Sequence, residues 1–186
     1  ANAFGQSQLP PLEKSVEDPS TGLNVPPGFE VDLVYKVDKR KYGSWIAMAF
    51  DDKGRLAVSD QGGAGTFSIE IPKPGETFDE TKIKKLNVKS SQWGMLYAFD
   101  HLYMMGNRSL NRAKVLANGD LGPTEFLAEM AGGGEHGPHS LVVTPDGKSL
   151  YVIAGNMTRL PKYQKTRIRD NWEDDYLLQN YAYGHN

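Results

Sequence analysis

The chain has 186 residues, of which 39% are hydrophobic and 24% are charged, a balance typical of a globular protein with a real core. Its 21 Lys and Arg residues are offset by 23 Asp and Glu residues, so the formal net charge is -2 and nothing indicates nucleic-acid binding. The lack of cysteine excludes disulfides, thiolate metal sites, catalytic thiols and covalent c-type haem attachment within this chain, and no run is long and apolar enough for a membrane span.

Residues 1–28 are predicted to form an extended lead-in. Prolines at 10–11 and 26–27, and a Pro-Ser-Thr-Gly sequence at 19–22, interrupt this segment too often for a helix or a central strand. The first strand is predicted over residues 29–35, where apolar and polar residues alternate as they do in a half-buried strand.

One pattern then occurs three times: an apolar strand, a tight turn and a second apolar strand. The copies lie near residues 44–60, 93–105 and 139–154. Asp and Gly in the first turn, and Pro, Asp and Gly in the third, supply the dihedral angles that a hairpin turn needs. Each copy is therefore predicted to be a β-hairpin.

The spacing of the hairpins indicates a repeat architecture. With the turns aligned, Phe50 corresponds to Phe99 and then to Thr144, steps of 49 and 45 residues. Additional strands are predicted at residues 66–71, 82–88, 111–116 and 125–130. Because a propeller blade has about 40 to 50 residues, we predict an all-β fold, a β-propeller with about three blades. A β-sandwich built from the same hairpins is the alternative.

Three blades cannot close a ring, since propellers need at least about four. Residues 29–186 are therefore expected to be a partial propeller, about half of a longer one, with exposed apolar edges and the missing C-terminal half as a partner. This half alone is expected to be inactive. Residues 157–186 depart from the strand pattern and are predicted to form a loop and short helix inserted after the last blade.

The main candidate site precedes the third hairpin. Three glycines are followed by Glu135, His136 and His139. Imidazoles exchange protons near neutral pH and bind metals, and Glu135 is placed to orient one of the two rings. The alternatives are a polar loop that meets only water and a transition-metal site formed by His136, His139 and His185.

Asp60 and Gln61 end the first hairpin. They are expected on the same face as the histidine loop if the hairpins are oriented alike. Because calcium prefers oxygen ligands, Asp60 is a candidate metal ligand and Gln61 a second oxygen donor.

Several of these stretches together resemble a known family. They are Pro27-Gly28-Phe29, the runs at residues 43–63 and 132–139, and the run at 145–156. Residues 24–186 resemble the N-terminal half of bacterial dehydrogenase-like propellers, which are common in planctomycetes and related marine bacteria. That family is related to the soluble glucose/sorbosone dehydrogenases.

The resemblance implies a six-bladed propeller that holds pyrroloquinoline quinone (PQQ) and calcium on its top face and oxidises a sugar or alcohol. The family's loop reads His-Asn-Gly-Gly-Arg-Leu where this chain has residues 136–141, so His136 takes the position of the base. His139 and Ser140 stand where the family has Gly and Arg. The candidate catalytic residues of such a site are His136, as the base, and its neighbours His139 and Glu135. Ser140, His185 and Gln61 are candidate cofactor contacts, and Asp60 is the candidate metal ligand from its position in the first hairpin.

The resemblance also implies a periplasmic or exported protein and a cytochrome domain as a further partner. The alternative function is a non-catalytic propeller that binds a carbohydrate or a protein through the histidine loop. Additional Arg, Lys and acidic residues in the missing blades would distinguish the enzyme, because an anionic quinone needs them.

Overall fold

A computed structural model describes residues 15–19, 22–106, 108–130, 132 and 136–158. The chain divides into two compact units, Ala1–Lys36 and Val37–Asn186. The described part of the first unit contains one short antiparallel pair, β1 (Val16–Glu17) with β2 (Asn24–Val25). The second unit contains the remaining elements that are described below.

The second unit is built almost wholly from antiparallel strands. It begins with a four-residue helix, and a single 3-10 turn precedes β6. In chain order the elements are α1 (Lys39–Tyr42), β3 (Trp45–Phe50), β4 (Arg55–Asp60), β5 (Thr66–Glu70), the 3-10 helix Glu80–Lys82, β6 (Lys84–Lys85), β7 (Gln92–Ala98), β8 (His101–Gly106), β9 (Ser109–Val115), β10 (Leu121–Glu129), β11 (Pro138–Val143) and β12 (Leu150–Ala154).

The strands form three sheets in which sequence neighbours pair. Two sheets have four strands, in the orders β3-β4-β5-β6 and β7-β8-β9-β10, and the third pairs β11 with β12. The first strands of the three sheets, β3, β7 and β11, lie next to one another with β7 in the middle. Four-stranded meanders arranged around their first strands are the blades of a propeller, so the predicted all-β partial β-propeller is confirmed.

An identical irregularity marks the first strand of each sheet. In all three hairpins the register skips one residue, which is Ile46 in β3, Trp93 in β7 and His139 in β11. These β-bulges are 47 and 46 residues apart in the sequence. Because a bulge bends a strand and re-aims its side chains, the three blades share a local geometry at the same point.

The core lies between the sheets, and β8 is at its centre. Leu102 and Met104 point from one face of β8 toward Ala57 and Leu86 of the first sheet and its exit loop. Tyr103 and Met105 point from the other face and pack with Leu141 of β11. The second sheet is thus covered on both faces, which explains why the strand has no exposed residue between His101 and Gly106.

The strand predicted over residues 29–35 is wrong. No residue from 29 to 38 belongs to a strand, and the side chains of Phe29 and Leu33 are 71% and 75% exposed. Alternation specifies which side chains a strand would bury, but a strand also needs a partner with free backbone groups. In the structure this segment is not part of a strand ladder.

The outer strand of the first sheet is shorter than predicted. Residues 82–88 were expected as a strand, whereas β6 contains only Lys84 and Lys85 and follows the 3-10 helix. The third sheet exposes apolar side chains on β12, namely Tyr151, Val152 and Ile153, as expected for an apolar edge. The predicted insertion after the last blade lies outside the described residues from 159 onward.

The turn of the first hairpin is fixed by Asp51, and its replacement gives a first testable result. The Oδ1 atom accepts hydrogen bonds from the backbone N–H groups of Lys53 (2.9 Å) and Arg55 (2.8 Å), and Oδ2 accepts from Arg55 Nε at 2.7 Å. We expect Asp51→Asn to lower the free energy of unfolding by about 1.5 kcal/mol in urea denaturation, because the variant loses the charge-assisted bonds. Asp52 is an exposed neighbour and provides the control. Asp52→Asn should change the free energy of unfolding by less than about 0.5 kcal/mol.

Candidate functional site

The top face is the end of the sheets at which β3, β7 and β11 begin and at which β4, β8 and β12 end. Ala47, Gly94 and Ser140, each the residue directly after a bulge, line one small pocket of about 160 Å³. Since these residues hold equivalent positions in the three repeats, the first strands of the three sheets lie side by side with their bulges at the same level. The three bulges are therefore close to one another.

His136 lies in the loop that leads into β11 and is exposed. Its carbonyl oxygen accepts a hydrogen bond from the N–H of Met157 (2.9 Å), and that of Gly137 accepts from Gly155 (2.7 Å). A side chain at Gly155 would overlap the His136 carbonyl, so glycine is required for this close approach. The loop is thus fastened to the segment after β12 through its backbone, and the imidazole is presented at the top face.

His139 occupies the bulge of β11 and is partly buried. Its ring meets the edge of the Trp93 ring, with 5.9 Å between centroids and an interplanar angle of 64°. Ser140 follows it, is exposed and lines the same small pocket as Trp93. Ser140 and the ring of His139 thus lie beside the indole of Trp93, which sequence reasoning did not select, and the roles of the two residues stay predictions.

The position of Trp93 could have been found from the repeat. Aligned on the turns, the hairpins have slightly different spacings because the turns differ in length. Aligned on the bulges, Trp93 corresponds directly to His139, 46 residues later. The sequence signal for Trp93 is thus an aromatic residue at the position of the second repeat that is equivalent to His139 in the third.

Asp60 is buried, 3% exposed, at the end of β4. Its Oδ1 accepts a hydrogen bond from the N–H of Ser44 (2.7 Å) and its Oδ2 from that of Ala64 (2.8 Å). Burial raises the pKa of this carboxyl, but the backbone N–H groups of Ala64, Gly62, Ser44 and Gln61 outweigh it and hold the pKa below its ordinary value. The carboxylate is therefore ionised and ties the loop after β4 to the start of β3.

Gln61 is exposed beside this carboxylate. Its backbone N–H donates to the Ser44 carbonyl (2.8 Å), and its own carbonyl accepts from Ser91 Oγ (2.7 Å). Within the described ranges, no three His, Asp or Glu side chains come together as a metal site. Asp60 as a metal ligand and Gln61 as a cofactor contact stay predictions, while Glu135 and His185 lie outside the described residues.

The described residues match some requirements of a quinone site and not others. An exposed imidazole is present, and an indole provides an apolar wall. PQQ is an anion and needs cationic partners, whereas no described Lys or Arg lines the pocket beside Trp93 and Ser140. Both oxygens of Asp60 already accept backbone hydrogen bonds. The described residues thus include a group that could accept a proton in such a site, but they do not by themselves provide the groups that would bind PQQ or calcium.

The geometry defines part of a β-propeller, with His136 in a loop at one end of the sheets. No family model matches the chain, and no curated protein matches it. Among solved structures, it is similar to the PQQ-bound form of an aldose sugar dehydrogenase from Streptomyces coelicolor, with a TM-score of 0.41 and 20% identity. The match covers 63% of this chain and 39% of that enzyme, so the chain spans well under half of its length. A similarity of this size does not extend to activity or substrate.

No helix in the described part of the chain has the length and apolar character needed to cross a membrane.

Proposed function

We propose that this chain is part of a propeller that oxidises the hydroxyl group of a sugar or alcohol, with His136 as the proton acceptor. The observation that carries the proposal is the presentation of an exposed imidazole at the top face by a loop whose backbone is bonded to the segment after β12. The motif resemblance of residues 132–156 to the glucose/sorbosone dehydrogenases supports the same role for His136.

In the proposed reaction the substrate hydroxyl loses its proton to His136. The hydrogen on the same carbon leaves with its electron pair to a separate two-electron acceptor, so that the alcohol becomes a carbonyl compound. An imidazole suits this step because its ordinary pKa of about 6.5 lies close to neutral pH. A quinone of the PQQ type would supply the two-electron acceptor.

The same proposal includes the location of the protein, its metal and its partners. We place it in the periplasm or outside the cell, with calcium beside the quinone and with further blades as the partner of the apolar edge at β12. Tyr151, Val152 and Ile153 support this last point, because a propeller blade covers such residues with additional strands. A cytochrome domain would be the partner that receives the electrons.

His136→Ala tests the activity in the full-length protein that contains this chain. In the presence of PQQ and calcium, we expect dye reduction with a panel of sugars and alcohols to fall by about 10²-fold or more, as for loss of a general base. His101→Ala is the matched control, since His101 lies at the opposite end of the sheets and should leave the rate unchanged. Equal rates for the wild-type protein and His136→Ala would remove His136 from the reaction.

A binding module is the second candidate, and the failure of the described residues to hold an anionic quinone favours it. In that case the loop around His136 and the wall formed by Trp93 and His139 bind a carbohydrate or protein without turnover. Calorimetric titration of the full-length protein with PQQ separates the two functions. Binding of PQQ without the sugar-dependent reaction, or no binding at all, would favour the module.

A further inference from the structure

The β-bulges align the three sheets residue by residue. Two residues after each bulge, Met48 of β3 corresponds to Met95 of β7 and to Leu141 of β11. Met95 packs with residues of the first sheet and Leu141 with residues of the second, and each is 7% exposed. This position on a first strand therefore faces the sheet that precedes it in the chain. Met48 holds the same position but is 67% exposed.

Phe50 shows the same contrast at the end of β3. Its equivalent on β7 is Tyr97, which is partly buried and packs in the core between the first and second sheets. Phe50 itself is 59% exposed. Since alternate residues of a strand point to the same side, Met48 and Phe50 form one apolar surface, here called the β3 face.

The strand next to the β3 face is covered on the same side of the sheet. Val58 and Leu56 of β4 lie directly opposite the two residues of the β3 face and are 1% and 7% exposed. They pack in a cluster with Tyr42 of α1. The chain therefore covers this side of the first sheet at β4 and leaves it open at β3. In the second and third sheets, the equivalent residues of the first strand meet a neighbouring blade.

The contact between the first and second sheets shows what such a surface packs on. Met95 and Tyr97 of β7 belong to one cluster with three alanines of the first sheet. These are Ala47, Ala49 and Ala57. Large side chains of the following sheet thus meet small side chains of the preceding one. Because the β3 face has side chains of similar size, packing at the density of a protein interior requires small residues opposite them too.

A second copy of this chain would offer larger side chains. The side of the third sheet that faces away from the second carries Val142, Tyr151 and Ile153, which are 49%, 58% and 54% exposed. Val142 and Tyr151 are paired and hold the positions of Ala49 and Ala57 in the first sheet. Packing the β3 face on them would overfill the contact, which is unfavourable. The third sheet of another copy is therefore a poor partner for the β3 face.

We propose that the propeller ring closes on the β3 face, and that the last blade of the full-length protein covers it with small residues. Alanine, glycine or serine would stand in that blade at the positions equivalent to Ala47, Ala49 and Ala57. The last blade is the occupant because it precedes the first sheet around the ring. The inference rests on the further blades included in the proposed function, but it does not depend on the oxidation or on His136.

Methionine oxidation in the full-length protein tests whether the β3 face is covered. Sulfoxide formation in dilute hydrogen peroxide is followed by mass spectrometry, and the same protein unfolded in urea gives the rate for an open side chain. We expect Met48 to be oxidised at least about tenfold more slowly in the native protein than in urea. Met104 and Met105, which are 1% and 0% exposed, are the internal controls for a buried methionine. Oxidation of native Met48 at its unfolded rate would overturn the proposal.

Photo-crosslinking of the full-length protein identifies the occupant. The variant Phe50→p-benzoylphenylalanine should crosslink within one chain, to a peptide of the last blade. Phe126→p-benzoylphenylalanine is the matched control, because Phe126 is a similarly exposed ring (65%) on the outer strand of a sheet that already has a neighbour on each side. It should give no such crosslink.

Two crosslinking results would contradict the proposal. A crosslink from position 50 to residues 138–154 of a second copy would make the β3 face a dimer interface, and a crosslink to residues 1–36 would make the lead-in its cover. The oxidation experiment uses the wild-type protein, so it decides the matter even if the Phe50 variant does not fold. Neither experiment measures turnover, so failure here is distinct from failure of the role proposed for His136.

Discussion

Gly94→Ala is expected to lower the free energy of unfolding by about 3 kcal/mol or more. Gly94 lies on β7, and a Cβ there would overlap the carbonyl oxygen and carbon of His139 on β11. Both groups are backbone, and each strand is paired with its own hairpin partner. The overlap therefore cannot be relieved by a side-chain rotation, and moving the two hairpins apart would open the packing of β7 against β11.

Urea denaturation of the variant and the wild type measures this effect, with Gly63→Ala as the control. Gly63 has open space around it and no positive φ, so alanine should be tolerated there within about 0.5 kcal/mol. Equal unfolding midpoints for Gly94→Ala and Gly63→Ala would mean that the first strands of the second and third sheets lie farther apart in solution.

Asp60→Ala is expected to lower the free energy of unfolding by about 4 kcal/mol. The change removes the acceptors of two backbone N–H groups, those of Ser44 and Ala64, and hydrogen bonds to a charged group contribute about 1.5 to 3 kcal/mol each. It also releases the loop after β4 from the start of β3. Asp52→Ala is the control, because Asp52 is exposed in the turn at the other end of β4.

Acidification should reduce the difference in the free energy of unfolding between the wild type and Asp60→Ala. The folded-state pKa of Asp60 lies below its ordinary value, so its contribution is complete above the unfolded-state pKa of about 4 and declines as the pH falls through the folded-state pKa. Denaturation curves of the wild type and Asp60→Ala should therefore approach each other below about pH 4. A constant difference down to pH 2 would mean that the carboxylate charge has no part in the effect.

The hairpins could be predicted because their signals are local. Apolar runs and the Asp and Gly residues of the turns at 51–54 and 145–147 specify strand, turn and strand without reference to the rest of the chain. The segment at residues 29–35 shows the limit of this reasoning. Its alternation of apolar and polar residues is also a local strand signal, but pairing depends on which strands are near, and no local pattern reports that.

The site was less predictable for a similar reason. His139 and Ser140 could be selected as polar residues in an unusual loop, but the contact of Trp93 with His139 depends on how two sheets pack. The hydrogen bonds of Asp60 likewise come from the backbone of neighbouring loops, so a sequence shows the carboxyl group but not whether its oxygens are already used.

The pairing of sequence neighbours within each sheet affects how the chain folds. Apart from β5 and β6, which residues 71–83 connect, every strand pair in the two four-stranded sheets closes a short loop, so little conformational entropy is lost before the first contacts form. Each sheet can therefore form by itself, and the packing of Leu102 and Met104 on Ala57 then joins the first two. Because each sheet is a continuous stretch of the sequence, each can form as soon as its own residues have been synthesised.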